Sequence, residues 1–166
     1  VYLYGPNGKR WIDLISGVSV SAVGHGNPAV IEAICSQARD YLHLMVYGEA
    51  VEAPQVRYAQ RIVSLLPDPL DSVYFVNSGS EAVEGALKLA KRYTGRTEMI
   101  YYKNAYHGST HGSLSVMGGE TFRNAFRPLL PDTRQIRFNE PDDLQYITSR
   151  TACVIIEPVQ GEGGII

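Results

Sequence analysis

The sequence predicts an α/β fold with a mainly parallel sheet, and two observations lead to this prediction. Three segments are strand-like, at 73–77, 98–102 and 152–156, and the β-branched and aromatic run at 73–76 is as expected of a strand covered on both faces. Helical patterns or loops separate them, which is the rhythm of β-α-β units. With 166 residues, 45% of them hydrophobic, the chain is long enough to bury a sizeable core.

The first predicted element is a β-hairpin at residues 1–14. Two runs with strand composition flank an Asn7-Gly8 pair, which is typical of a tight turn. Residues 16–28, rich in glycine and serine, are predicted to form a loop.

Two helices are predicted next. Asn27 is a suitable N-cap and Pro28 a suitable first residue for a helix that runs to about residue 42. A second helix is expected to begin near Pro54 and to end at Leu66, because Pro67 cannot continue it.

The turn after residues 73–76 predicts a helix that begins with a capping box. The Ser78 hydroxyl is expected to accept the amide of Glu81, whose carboxylate reaches back. The amides of Gly79 and Ser80 then stay unpaired at the positive end of the helix dipole, where a phosphate is favoured. The same residues also fit an ordinary strand-to-helix turn with a good cap.

The helix after this turn is predicted to be amphipathic, with Glu84 and Lys88 paired at i,i+4. Its expected apolar stripe consists of Ala82, Val83, Ala86, Leu87 and Ala90.

The residues that follow the three predicted strands are candidates for a binding site, because ligands of open α/β sheets sit beyond the carboxyl ends of the strands. Residues 77–80 form the predicted phosphate site, residues 103–108 include an aromatic ring, and residues 157–162 include two carboxylates. This combination suits a phosphorylated, planar, cationic cofactor. Polar loops are also common at these positions in any α/β protein.

The composition excludes several classes of function. A net charge of −2 favours neither nucleic acid nor a membrane surface as a partner. No apolar run approaches the roughly 18 residues of a membrane helix. Two cysteines far apart in the sequence, Cys35 and Cys153, are typical of a reducing cytosol. Because the chain begins at Val1 and stops shortly after a predicted strand, we expect it to be part of a longer protein.

Four ordered motifs resemble the class III pyridoxal-phosphate (PLP) aminotransferases, which have PLP fold type I and include the ornithine, acetylornithine and 4-aminobutyrate enzymes. The resemblance extends over nearly the whole chain. The motifs are residues 16–20 with 24–28, residues 77–84, residues 106–108 and residues 157–164.

The resemblance implies roles for four cofactor-binding residues. Gly79 and Ser80 match the positions that hold the PLP phosphate, in agreement with the free amides expected there. Tyr106 resembles the aromatic residue that stacks on the pyridine ring. Glu157 resembles a carboxylate behind the cofactor, which helps to position the group that pairs with the pyridine nitrogen.

The resemblance also implies two substrate-binding residues. Val18 matches a position that lines the substrate pocket, where ornithine aminotransferases have a tyrosine, so valine disfavours ornithine itself. Glu162 resembles the gate glutamate of ω-aminotransferases, which pairs with a distant arginine and swings aside for an α-carboxylate.

No catalytic residue is assigned within this segment. The family's Schiff-base lysine, pyridine-nitrogen aspartate and carboxylate-binding arginine are expected downstream, so we expect the segment alone to be inactive. None of the four lysines matches the family motif; they are Lys9, Lys88, Lys91 and Lys103. No metal site is predicted, since the His107–His111 pair lacks the glutamate of an HExxH motif.

The sequence therefore predicts a cytoplasmic, homodimeric PLP-dependent aminotransferase. Residues 1–50 are expected to be an N-terminal segment of the small domain, and residues 51–166 the first part of the PLP-binding large domain. The expected partners are an ω-amino acid, an N-acetylornithine-like compound or a related amine, and a 2-oxo acid such as 2-oxoglutarate. The alternatives are an aminomutase or decarboxylase of the same fold, and a non-enzymatic phosphate- or nucleotide-binding domain.

Overall fold

The computed structural model describes residues 2–45 and 49–166, and the chain divides into two compact units. The first unit is Val1–Ser72 and the second is Val73–Ile166. The expected domain division between residues 50 and 51 stays a prediction. In the described part of the chain, no helix is long and apolar enough to cross a membrane.

The first unit begins with the predicted hairpin. Strand β1 (Tyr2–Tyr4) pairs antiparallel with β2 (Arg10–Ile12), which confirms the prediction for the residues that the structure describes; Val1 lies outside them. A single turn, α1 (Ser16–Ser19), follows at the start of the predicted loop.

Two helices complete the first unit. Helix α2 (Pro28–Asp40) confirms the predicted cap, since the Asn27 side chain accepts the amides of Ala29 at 3.0 Å and Val30 at 3.4 Å. Helix α3 (Ala53–Val63) ends three residues before the predicted Leu66. The chain tightens to i→i+3 hydrogen bonds over these last residues, as is common at helix ends.

The second unit contains a three-stranded parallel sheet with the order β4-β3-β5. Its elements in chain order are α4 (Gly79–Thr94), β3 (Glu98–Tyr102), α5 (His111–Ser115), α6 (Glu120–Arg123), a 3₁₀ turn (Asn124–Phe126), β4 (Thr133–Ile136), a second 3₁₀ segment (Pro141–Tyr146) and β5 (Thr151–Ile155). The predicted strands at 98–102 and 152–156 are β3 and β5, the latter displaced by one residue.

Strand β4 was not predicted from the sequence. Its four residues are Thr, Arg, Gln and Ile, and only Ile136 is buried. As an edge strand with polar side chains, it lacks the apolar run by which a buried strand is recognised.

The core lies on both faces of β3, whose five residues are all buried. Met99 and Tyr101 pack with Leu87 of α4 and with Val116 on one face. Ile100 and Tyr102 of β3 pack on the other face with Ala105 and Ile136. Because side chains alternate along a strand, β3 contributes to two apolar layers.

The prediction of a buried strand at residues 73–77 is wrong for the described structure. These residues belong to neither of the sheets that the described residues form. Tyr74 is 82% exposed, so the segment is not covered on both faces. The composition of a segment indicates a tendency to extend, but a strand also needs a neighbouring backbone to bond with.

Candidate functional site

The N-terminus of α4 is built by its cap. The Ser78 hydroxyl accepts the amide of Glu81 at 3.2 Å, as the capping box predicts. The Glu81 carboxylate, however, accepts the amide of Asn77 at 2.7 Å, one residue before the expected donor. Both contacts hold the turn without using the two amides that follow Ser78.

The amides of Gly79 and Ser80 donate to no protein acceptor within the described residues. A Cβ built on Gly79 would meet no atom within 4 Å, so the space in front of this turn is open. Two free donors at the positive end of a 16-residue helix can bind an anion such as a phosphate.

The loop after β3 contains Tyr106, which is 41% exposed and whose ring lies edge-on to Phe122 at a centroid distance of 6.1 Å. The Tyr106 amide donates to Oε2 of Glu157 at 2.9 Å. Because β3 and β5 are neighbouring parallel strands, the residues after them meet at one edge of the sheet. The structure thus brings together two of the predicted cofactor residues.

The same loop contacts the start of α4. The amide of Ser109 donates to the Ser80 hydroxyl at 3.2 Å. Gly108 has a φ of +117°, and a side chain there would collide with the Ser80 hydroxyl. The phosphate-site candidate Ser80 therefore lies beside the loop that carries Tyr106.

His107 is nearly buried, at 8% exposure, and its Nε2 atom has no hydrogen-bond partner among the described residues. Burial lowers the pKa of this imidazole below its ordinary value of 6.5, and the negative charge of Glu157 partly opposes the shift. The ring is therefore neutral at physiological pH.

The loop after β5 is held by Gln160, for which no role was predicted from the sequence. Its side chain is 1% exposed and donates from Nε2 to the Lys103 carbonyl at 2.8 Å. Glu162 lies two residues later in an exposed turn. The buried amide anchors the loop on the residues after β3, while Glu162 stays accessible.

Val18 lies in the first unit, within α1, and is 70% exposed. Its φ of +59° is in the left-handed region, which is unusual for a β-branched residue. The role of Val18 as a pocket residue stays a prediction, as do those of Gly79, Ser80, Tyr106, Glu157 and Glu162.

The observed partners of Glu84 differ from the predicted one. In the described part of the chain it forms no ion pair with Lys88. Its Oε1 atom instead accepts from the Thr110 hydroxyl at 2.6 Å and from the amides of Gly112 at 2.7 Å and Ser113 at 3.1 Å. No local pattern in the sequence indicates this contact, because its donors lie 26 to 29 residues further along the chain.

Similar proteins of known family identify the family of this chain. The chain matches the family described as aminotransferase class III over residues 1–166. The chain belongs to the class III aminotransferases. It is 39% identical to the acetylornithine aminotransferase of Clostridium acetobutylicum, with 99% of this chain and 43% of that protein covered.

Other relatives are named for different substrates. A [LysW]-aminoadipate semialdehyde/glutamate semialdehyde transaminase of Sulfolobus acidocaldarius is 38% identical over 99% of this chain and 42% of its own length. The chain spans less than half of the curated relatives that it matches.

Solved structures confirm the predicted fold class. An adenosylmethionine-8-amino-7-oxononanoate aminotransferase from Methanocaldococcus jannaschii has a TM-score of 0.86 at 31% identity, covering 99% of this chain and 41% of that one. An (S)-enantioselective omega-transaminase from Thermomicrobium roseum has a TM-score of 0.89 at 26% identity, covering 99% and 43%. This class III aminotransferase segment thus has part of the PLP-dependent transaminase fold.

Proposed function

We propose that the protein containing this chain is a PLP-dependent aminotransferase. It transfers an amino group from an ω-amino acid, an N-acetylornithine-like compound or a related amine to a 2-oxo acid such as 2-oxoglutarate. The observation that carries the proposal is the open turn at Gly79 and Ser80, next to the loop that presents Tyr106. The family membership and the transaminase names of the relatives support the same chemistry.

The residues present fit PLP. The free amides of Gly79 and Ser80 would hold its phosphate at the positive end of α4, where a Cβ built on Gly79 meets no atom within 4 Å. The exposed ring of Tyr106 would stack on the pyridine ring of PLP, and Glu157 holds Tyr106 by accepting the hydrogen bond of its amide. When bound, PLP supplies an electron sink for the reacting amine carbon, while the protein supplies orientation and electrostatics.

Glu162 and, independently of it, Val18 are each assigned a role in substrate binding. Glu162 is exposed on a turn whose base is anchored by the buried Gln160, so its side chain can change position without moving the loop. This arrangement suits a gate that masks a cationic site for one substrate and exposes it for the other. Val18 provides an exposed aliphatic surface in place of a phenol, which disfavours ornithine as the donor.

The protein works as a cytoplasmic homodimer. Both cysteines, Cys35 and Cys153, are free, which suits a reducing compartment. The dimer rests on the family resemblance, and light scattering of the complete protein would test it directly.

The decisive experiment uses the complete protein in its PLP-free form. Addition of PLP should produce a visible absorbance band that borohydride removes, and a panel of amine donors should convert 2-oxoglutarate to glutamate. Amine turnover without any 2-oxo acid would favour the aminomutase or decarboxylase alternative. Phosphate binding without the absorbance band would favour a non-enzymatic domain and overturn the proposal.

A further inference from the structure

Glu84 is a partly buried carboxylate with three donors on one oxygen. The Thr110 hydroxyl and the amides of Gly112 and Ser113 all donate to its Oε1 atom. Burial raises the pKa of this carboxyl, but these hydrogen bonds and the nearby His111 outweigh burial and lower the pKa below its ordinary value of 4.5. Glu84 is therefore a charged acceptor at neutral pH.

The donors belong to the first turn of α5 and to the residue before it. In a helix the first amides have no intrahelical acceptor, so the Glu84 carboxylate caps α5 from a different element of the fold. The contact is close, since a Cβ built on Gly112 would collide with the Glu84 carboxylate. A side chain at position 112 would displace the Glu84 carboxylate from its present position.

Ser80 and Glu84 bind the same loop at successive turns of α4. Ser80 accepts the amide of Ser109, and Glu84 holds the residues just after it. On the other side of the loop, Glu157 accepts the Tyr106 amide. The segment that carries the Tyr106 ring is thus fixed at both ends. At the end that faces α4, Glu84 accepts three hydrogen bonds and Ser80 accepts one.

We propose that Glu84 is a positioning residue, which sets the distance between the ring of Tyr106 and the phosphate-binding turn at Gly79 and Ser80. The inference rests on the proposed function, since PLP is the ligand that bridges these two features. Glu84 touches neither part of the ligand; it acts through the loop. The phosphate-binding amides belong to α4 itself, so they stay in place when Glu84 is changed.

Glu84→Ala in the complete protein tests the proposal by equilibrium binding of PLP and, separately, of inorganic phosphate. We expect PLP affinity to fall by about 2- to 13-fold, the share that an aromatic contact contributes. Phosphate affinity should stay within about 2-fold, because the helix amides are unchanged. Equal losses for both ligands, or no loss for PLP, would overturn the proposal.

A double-mutant cycle separates positioning from a general structural role. Tyr106→Ala should add little to the loss of PLP affinity in the Glu84→Ala background, because the ring is already misplaced there. Additive losses would mean that Glu84 does not act through Tyr106. Lys88→Gln is the matched control on the same helix, and we expect it to leave PLP affinity unchanged. It would lower PLP affinity as Glu84→Ala does only if an ion pair between Glu84 and Lys88 were important.

Glu84→Gln provides a second variant if Glu84→Ala does not fold. It keeps an acceptor oxygen without the charge, so PLP affinity should fall less than in the alanine variant; an unchanged PLP affinity here would also count against the proposal. Binding of PLP to the unsubstituted protein distinguishes failure of the proposed function from failure of the proposed role of Glu84. If it does not bind PLP, the proposed function fails; if it binds PLP and the cycle is additive, only the role of Glu84 fails.

Discussion

The amide of Tyr106 and the carboxylate of Glu157 are joined by a 2.9 Å hydrogen bond across 51 residues of chain. The bond connects the loops after two neighbouring parallel strands, β3 and β5. It places an exposed aromatic ring at a defined position on the sheet edge, next to the N-terminus of α4.

The first prediction concerns the phosphate turn. Ser80→Asp places a negative charge beside the two free amides, so PLP binding to the complete protein should weaken by more than about 10-fold. Ser80→Asn is the matched neutral control and should weaken binding much less. Equal PLP dissociation constants for the aspartate and asparagine variants would exclude phosphate binding at this turn.

The second prediction concerns stacking. Tyr106→Ala should lower PLP affinity by about 2- to 13-fold, because an aromatic contact contributes roughly 0.5–1.5 kcal/mol. Tyr106→Phe keeps the ring and should bind PLP nearly as well as the parent. A fluorescence titration of PLP into the three proteins measures the difference. An alanine variant with parental affinity would refute the stacking role.

The third prediction concerns Glu162 as a gate. Glu162→Ala leaves the expected substrate arginine permanently unmasked, so the half-reaction with an ω-amine donor should slow more than that with 2-oxoglutarate. Stopped-flow measurement of each half-reaction gives the two rates separately. Glu162→Gln tests whether the negative charge is required. The gate hypothesis fails if both half-reactions slow to the same extent.

The fourth prediction is a pH dependence of stability. Burial lowers the pKa of His107 below its ordinary value of 6.5 in the folded protein. The unfolded chain then binds the proton more readily, so this group stabilises the fold above about pH 6.5 and its contribution is lost as the pH falls toward the folded-state pKa. The thermal unfolding midpoint of the complete protein should therefore decrease as the pH is lowered from neutral through about 6.5 and below.

Two variants isolate the source of this pH dependence. His107→Gln should flatten the change in the unfolding midpoint over that range. Glu157→Gln removes the charge that opposes the shift, so the pKa of His107, followed by NMR, should move further down. An unchanged pKa in Glu157→Gln, or an unchanged slope in His107→Gln, would show that other groups are responsible.

Local signals in the sequence predicted much of the fold. The caps of α2 and α4 and the strand β3 lie where short-range patterns indicate, because a cap depends on residues only two or three positions apart. The prediction of a strand at 73–77 was wrong because strand formation depends on a distant pairing partner, which the composition of the segment does not reveal. Strand β4 was missed because an edge strand with polar residues has no apolar run.

The sequence by itself determined the family, the parallel sheet and the turn with two free amides, because these depend on ordered motifs and on local hydrogen bonding. Only the tertiary structure decided which distant groups meet. Glu84 was predicted to pair with Lys88 but binds the Thr110–Ser113 turn, and Gln160 became a buried anchor for the loop of Glu162. Such contacts join residues 26 to 57 positions apart, which no local propensity brings together. Glu84 meets its donors where α4 lies against the start of α5, and Gln160 meets Lys103 because the loops after the paired strands β5 and β3 lie side by side.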